Sequence, residues 1–199
     1  MKDLSPQRPE MTFPEAEAAW LQEAYAGAEV ILEYGSGGST VMAAEMGGKT
    51  VFSVESSKTW AEMMRRWFDA HPPDGGLVEI VPIWVGPVKK WGMPIDDSHF
   101  NRFPRYPLKV WDHVEFRQPD VVLVDGRFRV ACVLATLYRT QKPVTLYFDD
   151  YTERMKYHII EDFVPLKETR GRMARFDIEP TPIPPERLMQ IMALFNRKL

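Results

Sequence analysis

A short apolar strand that runs directly into a glycine-rich turn, and then into a helical pattern, constrains this chain most. Residues 30–32 predict the strand, residues 35–38 form the turn, and residues 41–46 predict the helix. Glycines at such a turn let the backbone bend sharply and approach a ligand closely. The sequence therefore predicts a ligand-binding loop between the first strand and the helix that follows it.

Two familiar glycine loops do not match this one. A dinucleotide-binding loop needs a third glycine at position 40, where the chain has Thr40. A phosphate-binding P-loop would end at Gly48-Lys49-Thr50, but Ala43 stands at its first glycine and Thr50 leads into a strand. The loop at 35–38 therefore matches neither of these two phosphate-binding patterns.

Apolar strands alternate with helical patterns along most of the chain. The alternation predicts βαβ units and a doubly wound α/β fold, in which helices cover both faces of a mostly parallel sheet. Strands are predicted at 30–32, 51–54, 78–83, 120–124 and 144–148, followed by a hairpin at 167–170 and 173–178. Helices are predicted from Pro14 to Gly27, after a cap at Thr59 or at Ser56 or Ser57, at 130–138, at 153–163 and in the tail.

An acid ends the second predicted strand, twenty positions after Gly35. This acid, Glu55, can accept hydrogen bonds from both hydroxyls of a ribose. Enzymes that bind NAD use the same device, so Glu55 predicts a ribose-containing ligand without choosing between cofactors.

Acids also follow the fourth and fifth predicted strands. Asp125 comes after residues 121–124, and Asp149 and Asp150 come after residues 144–148. Ligands of doubly wound sheets bind outside the carboxyl ends of the strands, so these acids are expected at one rim. Three roles stay open: a base or positioning group with a raised pKa, a site for a divalent cation, or capping of the next helix.

The run Glu33-x-Gly35-x-Gly37 with Ser39 and Thr40 resembles motif I of the class I SAM-dependent methyltransferases, in the variant with Ser where many members have a third Gly. Asp125 is similar to the motif IV acid of that family. The resemblance covers residues 28–178 and is strongest to small O-methyltransferase-like members. It implies a seven-stranded, three-layer α/β/α fold in which the final hairpin forms an antiparallel edge.

The same resemblance implies S-adenosylmethionine (SAM) as cofactor and methyl transfer to an oxygen or nitrogen nucleophile of a small molecule. It assigns these cofactor-binding residues: Glu33, Gly35, Ser36, Gly37, Gly38, Ser39, Thr40, Glu55 and Asp125. Asp125, with Asp149 or Asp150, is expected to act near the transferred methyl group. Metal-dependent O-methyltransferases carry an Asp-Asn pair where this chain has Asp149-Asp150, so a divalent metal has no support from the motif.

Three segments lie outside the alternation. We expect the first dozen residues to be loosely held. The insert at 84–119 is rich in aromatic and basic residues, and it forms either a substrate wall over the cleft or a satellite core. The tail at 180–199 ends in an amphipathic helix, which either packs on the domain or forms a homodimer contact. All three belong to one predicted domain spanning 1–199.

The net charge, the lengths of the apolar runs and the cysteine count limit the kinds of partner and location expected for this chain. The net charge is −3, which argues against binding nucleic acid through overall charge, although a local basic patch stays open. No apolar run approaches the length needed to span a bilayer, and the lone Cys132 and the lack of a signal segment favour a cytoplasmic protein. A non-catalytic SAM-binding partner protein and an NAD-linked oxidoreductase are the two alternative functions.

Overall fold

The computed structural model describes residues 7–198, in which one seven-stranded sheet organises the chain. The strands, in chain order, are β1 Val30–Tyr34, β2 Thr50–Glu55, β3 Leu77–Pro82, β4 Val88–Lys89, β5 Met93–Pro94, β6 Val121–Val124, β7 Val144–Phe148, β8 Glu168–Arg170 and β9 Met173–Ile178. The short strands β4 and β5 pair only with each other, inside the insert. The fourth and fifth strands predicted from the sequence are therefore β6 and β7.

The main sheet has the order β3-β2-β1-β6-β7-β9-β8. Strands β3, β2, β1, β6 and β7 pair in parallel, whereas β9 runs antiparallel to β7 and to β8. This confirms the predicted doubly wound, mostly parallel sheet with an antiparallel edge hairpin. The chain order reverses between β1 and β6, so a crevice opens where these two strands end.

Helices cover both faces of the sheet. They are α1 Glu15–Gly27, α2 Gly38–Glu45, α3 Lys58–Ala70, α4 Arg105–Leu108, α5 Arg129–Arg139 and α6 Leu188–Phe195. The first three pack on the face that presents Ile31 and Val51. The insert, α5 and α6 pack on the opposite face, which presents Leu32 and Val122. Alternate residues of each strand thus reach different cores, which is why the central strands are apolar on both faces.

Two local expectations need correction. Thr59 does not cap α3, because the cap is Ser57, whose side chain accepts a hydrogen bond from the Trp60 backbone N–H at 3.3 Å. The helix expected at 153–163 is a 3₁₀ helix, Met155–Asp162. Only Tyr157 and Ile160 are buried in it, at a spacing of three residues that suits the tighter helix.

The two ends of the chain also pack on this domain. The tail helix α6 buries Ile191 and Leu194 and leaves Met189 and Met192 exposed. The homodimer contact stays a prediction. At the other end, Pro9 is buried, so the expectation that the first dozen residues are loosely held is wrong from residue 7 onward. Residues 1–6 and 199 lie outside the described part of the chain. No helix within residues 7–198 is both long and apolar enough to cross a membrane.

Candidate cofactor and acceptor cleft

The glycine loop joins β1 to α2 and needs glycine at its first position. Gly35 has a φ of 109°, which side-chain-bearing residues rarely adopt. A Cβ on Gly35 would also lie 2.8 Å from the backbone nitrogen of Gly126, which follows β6. Gly37 is different, since its backbone is extended and a Cβ there would meet no atom within 4 Å. The loop thus packs against β6 at Gly35 and leaves open space at Gly37.

Glu33 and Thr40 hold this loop from below. Glu33 is completely buried and accepts hydrogen bonds from the Tyr25 hydroxyl, at 2.7 Å, and from the Thr40 hydroxyl. The Gly37 backbone N–H donates in turn to the Thr40 hydroxyl at 3.0 Å. Burial raises the pKa of Glu33, while the hydrogen bonds from Thr40 and Tyr25 oppose that shift. Neither Glu33 nor Thr40 lines the cleft, so the structure makes them positioning residues, not the ligand contacts that the motif implied.

A cleft of about 1060 Å³ lies above the loop, at the crevice between β1 and β6. Its volume lies at the upper end of the range typical of small-molecule and cofactor sites. The predicted residues that line it are Gly35, Ser36, Gly37, Gly38, Ser39, Glu55 and Asp125. The other residues that line it are residues 7–13, Ser57, Trp60, Met63, residues 89–92, Gly126 and Arg127. Of these, residues 89–92 belong to the insert for which a place in the wall of the cleft was one of two predictions, and the rest were not predicted.

The N-terminal segment forms one wall of this cleft. A Cβ on Gly38 would lie 2.4 Å from the backbone nitrogen of Met11, so the segment lies directly on the start of α2. Arg8 fixes it further by donating two hydrogen bonds to the Glu45 carboxylate, at 3.1 and 2.7 Å. Nothing local in the sequence signals this contact, because it depends on a glycine 27 positions away.

Glu55 ends β2 inside the cleft and is 8% exposed. The Ser57 backbone N–H donates to its Oε1 atom at 2.6 Å. Burial raises the pKa of Glu55, and the backbone N–H groups of Ser57 and Ser36 counteract that shift. A fixed carboxylate at this position suits a ligand that donates two adjacent hydroxyl groups.

The three predicted acids meet beyond the other side of the loop. Carboxylate oxygens of Asp125, Asp149 and Asp150 lie within 4.8 Å of one another. Of the three, only Asp125 lines the cleft. Asp149 is fully buried behind it, and Asp150 adopts a left-handed backbone with a φ of 58°. The 3₁₀ helix that follows has no side-chain cap, so the capping role considered for these acids is wrong.

Arginines neutralise the acids. Arg129, itself buried, lies 3.0 Å from Asp125 and 3.2 Å from Asp150. Arg172 donates to both oxygens of Asp149 at 2.8 Å, and Arg154 lies 2.8 Å from Asp150. Three guanidinium groups therefore pair with three carboxylates. A divalent cation would have to displace a guanidinium group from each of the three carboxylates, so the cluster as paired here does not fit a metal site.

Asp125 keeps an unusual proton affinity despite this pairing. Burial raises its pKa to about 7, Arg129 opposes the shift, and the carboxylates of Asp149 and Asp150 add to it. The side chain remains 30% exposed to the cleft. A carboxylate that titrates near neutral pH and faces a cleft is suited to accept a proton from a bound molecule.

The insert is divided between the main core, which several of its aromatic residues join instead of forming a satellite core, and the lining of the cleft, where its role as a substrate wall stays a prediction. Phe103, Tyr106 and Trp111 are buried in the main core. Residues 89–92 instead line the cleft, and Trp91 is 71% exposed. Aromatic residues at similar spacing cannot reveal which half of such a segment is buried, because that depends on where α5 and β1 lie.

Known proteins were compared with this chain by sequence and by structure. No protein-family model matches it, and no curated protein matches it in sequence. A methyltransferase-like protein from Silicibacter pomeroyi has a solved structure that is 54% identical, with a TM-score of 0.92, over 95% of this chain and 98% of the other.

More distant solved structures share the fold alone. A SAM-dependent O-methyltransferase from Thermotoga maritima aligns at 10% identity with a TM-score of 0.53, over 89% of this chain and 69% of its own. A proposed RNA methyltransferase from Pyrococcus horikoshii aligns at 14% identity with a TM-score of 0.51, over 90% and 91% of the two chains.

Proposed function

Because this chain belongs to the class I SAM-dependent methyltransferase family, we propose that it transfers the methyl group of SAM to an oxygen or nitrogen atom of a small-molecule acceptor. The strand order carries this proposal. With β2, β1 and β6 as neighbours, the Gly35 loop, Glu55 and Asp125 all line one cleft. The loop offers close approach to its backbone, Glu55 offers a carboxylate for hydroxyl groups, and Asp125 offers a carboxylate near the reacting end of the cofactor.

The residues present fit this cofactor. Glu55 is placed to accept hydrogen bonds from the two ribose hydroxyls, since its carboxylate is fixed at the end of β2. The open space at Gly37 admits a ligand close to the backbone. The rim near Asp125 remains for the reacting end of the cofactor and for the acceptor.

When bound, SAM supplies a methyl group that its sulfonium has already activated. The protein then has to align the acceptor, exclude water and remove a proton. Asp125 accepts the proton that leaves the acceptor's O–H or N–H group as the new bond to carbon forms. Arg129 is a positioning residue, because it holds the Asp125 carboxylate at 3.0 Å while its own side chain is buried.

Cofactor binding tests the proposal directly. We expect calorimetry to show binding of SAM and of S-adenosylhomocysteine (SAH), but not of NAD. Glu55→Gln should weaken SAH binding about tenfold or more, through loss of charge-assisted hydrogen bonds. Glu23→Gln, a change of the same kind on a 73% exposed side chain of α1, is the matched control and should leave affinity unchanged.

Three results would count against the proposal. Binding of NAD alone would point to an oxidoreductase. Unchanged SAH affinity in Glu55→Gln would remove Glu55 from the site. SAH binding without methyl transfer to any of a broad set of hydroxyl and amine compounds would favour a non-catalytic SAM-binding protein.

A further inference from the structure

Residues 89–92, here called the basic loop, arch over the crevice between β1 and β6. On one side the Ser56 hydroxyl donates to the Gly92 carbonyl at 2.9 Å, which ties the loop to the end of β2. On the other side the Arg127 Nε donates to the Trp91 carbonyl at 2.8 Å, which ties it to the residues after β6. The basic loop is therefore anchored to both sides of the cleft.

The basic loop holds a backbone that is costly to form. Trp91 and Gly92 are consecutive left-handed residues, with φ of 63° and 67°. Such a conformation is unfavourable for a tryptophan and persists where the surroundings fix it. Strain of this kind concentrates at ligand sites. The left-handed backbone places the indole of Trp91 in the lining of the cleft, where the indole remains mostly exposed.

The cations around this indole are not neutralised by the protein. Lys89, Lys90 and Arg127 all line the cleft, and the Lys90 ammonium lies 5.2 Å from the centre of the Trp91 ring. Among residues 7–198, none of the three forms an ion pair. Burial and the nearby Arg129 lower the pKa of Arg127, so its positive charge is held at a cost that an anion would relieve.

The acids that line the cleft, Glu10, Glu55 and Asp125, offset these charges only in part. Glu55 is held by backbone N–H groups at the ribose position, and Asp125 is paired with Arg129. One wall of the cleft is therefore positive in a chain whose net charge is −3. A flat apolar face beside three cations is a recognition surface for a planar molecule that carries a negative group.

We propose, as a consequence of the proposed function, that the methyl acceptor is an aromatic small molecule bearing a carboxylate or phosphate group. Its ring stacks on Trp91, and its anionic group pairs with Lys89, Lys90 and Arg127. The group to be methylated then faces Asp125, two residues before Arg127. The short extent of the positive wall favours a small molecule over a nucleic acid, which needs a longer basic track.

Calorimetry on the protein saturated with SAH tests this proposal. The probes are benzoate, phenyl phosphate and benzyl alcohol, which share a ring and differ in charge. We expect benzoate or phenyl phosphate to bind at least about tenfold more tightly than benzyl alcohol, and the better of the two identifies the anionic group. Lys90→Gln and Arg127→Gln should each lower the affinity for the anionic probe, relative to that for benzyl alcohol, about tenfold. Both variants should leave SAH affinity unchanged.

Lys167→Gln is the matched control, because it makes the same change on a lysine paired with Asp177 outside the cleft. Equal binding of all three probes would overturn the proposal, as would unchanged anion binding in both variants. A fall in SAH affinity would instead assign the cations to the cofactor's own carboxylate and refute the proposed acceptor. Tight, salt-dependent binding of a single-stranded octauridylate without binding of the small anions would assign the wall to RNA. Failure of the wild-type protein to bind SAH would refute the proposed function itself.

Discussion

The backbones of Gly35 and Gly126 touch across the crevice, although the two residues follow β1 and β6 and lie far apart in the sequence. A Cβ on Gly35 would sit 2.8 Å from the Gly126 nitrogen, and a Cβ on Gly126 would sit 2.9 Å from the Gly35 nitrogen. The Gly126 N–H also donates to the Tyr34 carbonyl. This contact sets the distance between the glycine loop and Asp125. The two sides of the cleft can approach this closely because neither Gly35 nor Gly126 has a side chain.

Alanine substitutions should separate two roles within the loop. Gly35→Ala introduces both a clash and a strained φ, so we expect it to lower the free energy of unfolding by about 1–3 kcal/mol and to reduce SAH binding. Gly37→Ala meets no protein atom within 4 Å and keeps an extended backbone, so it should leave stability unchanged and weaken SAH binding alone. Denaturant unfolding and calorimetry measure both quantities. A destabilised Gly37→Ala protein would contradict this division.

Asp125 should give methyl transfer a simple pH dependence. Its pKa of about 7 means that the free enzyme holds a proton on this carboxyl below pH 7. We expect kcat/KM to rise about tenfold per pH unit below pH 7 and to level off above it. Asp125→Asn should lower kcat/KM by about 10²–10⁴-fold and abolish this rise. A wild-type profile that is flat between pH 5 and 8 would remove Asp125 as the base.

The raised pKa of Asp125 also predicts how stability depends on pH. The contribution of Asp125 to stability falls as the pH rises, whereas that of most acids increases. The folded-state pKa of Asp125 is raised, so the folded protein binds its proton more tightly than the unfolded chain. The contribution of Asp125 to stability is therefore fully present below pH 4 and is lost as the pH rises through 7. Asp125→Asn cannot titrate, so its stability relative to wild type should increase from pH 4 to pH 8. Parallel urea titrations at several pH values provide the measurement.

Arg129 should contribute more to stability than an exposed arginine of the same helix does. It is buried between Asp125 and Asp150 and also donates to the carbonyls of Asp125 and Gly126, at 2.7 and 3.1 Å. Arg129→Met removes the ion-pair partner of Asp125 and one of the partners of Asp150, and it should cost about 3 kcal/mol of stability. Arg139→Met is the control on the same helix, where the pair with Asp112 is exposed and should contribute about 0–1 kcal/mol.

The arginine pairing also predicts indifference to divalent metals. Because guanidinium groups hold the oxygens of Asp125, Asp149 and Asp150, a cation would have to displace them. Dialysis against EDTA should leave both SAH affinity and methyl transfer unchanged, and added Mg²⁺ should not raise either. A loss of transfer with EDTA that Mg²⁺ restores would show that this cluster rearranges to bind metal.

The N-terminal segment should control exchange of the cofactor. Gly38→Ala places a methyl group 2.4 Å from the Met11 nitrogen, so residues 9–12 should move away from the start of α2. We expect faster SAH dissociation in stopped-flow measurements and faster amide hydrogen exchange in this segment. Arg8→Ala removes only an exposed pair with Glu45 and should show the same effects more weakly. Dissociation rates equal to wild type in both variants would show that the segment does not cover the bound cofactor.

Sequence reasoning succeeded where a local pattern is sufficient. The central strands are apolar runs bounded by turns, and the loop at Gly35 and the acids Glu55 and Asp125 stand at strand ends, which the topology then brings to one cleft. Such positions follow from chain order and from the rules for parallel sheets. The seven-stranded sheet with its antiparallel edge came from the family resemblance carried by the same motifs.

The remaining parts of the site depend on contacts that no local pattern encodes. Arg129, Arg154 and Arg172 lie far apart in the sequence and become a cluster only when β7 lies beside β6 and β9. Glu33 was predicted to contact the cofactor because it belongs to the motif at the glycine loop. Its side chain is instead buried in the core, where it accepts a hydrogen bond from Tyr25. Trp91 is distinguished from the buried Trp111 only by tertiary packing.

Arg172 lies at the turn of the final hairpin, and its guanidinium group is what pairs with the buried Asp149. During synthesis the ribosome releases β1, β2 and β6 long before it releases that hairpin. A nascent chain that ends before residue 172 carries an unpaired carboxylate beneath its unfinished cleft. The order of translation therefore leaves the Asp149 carboxylate without Arg172 until the final hairpin has been synthesised.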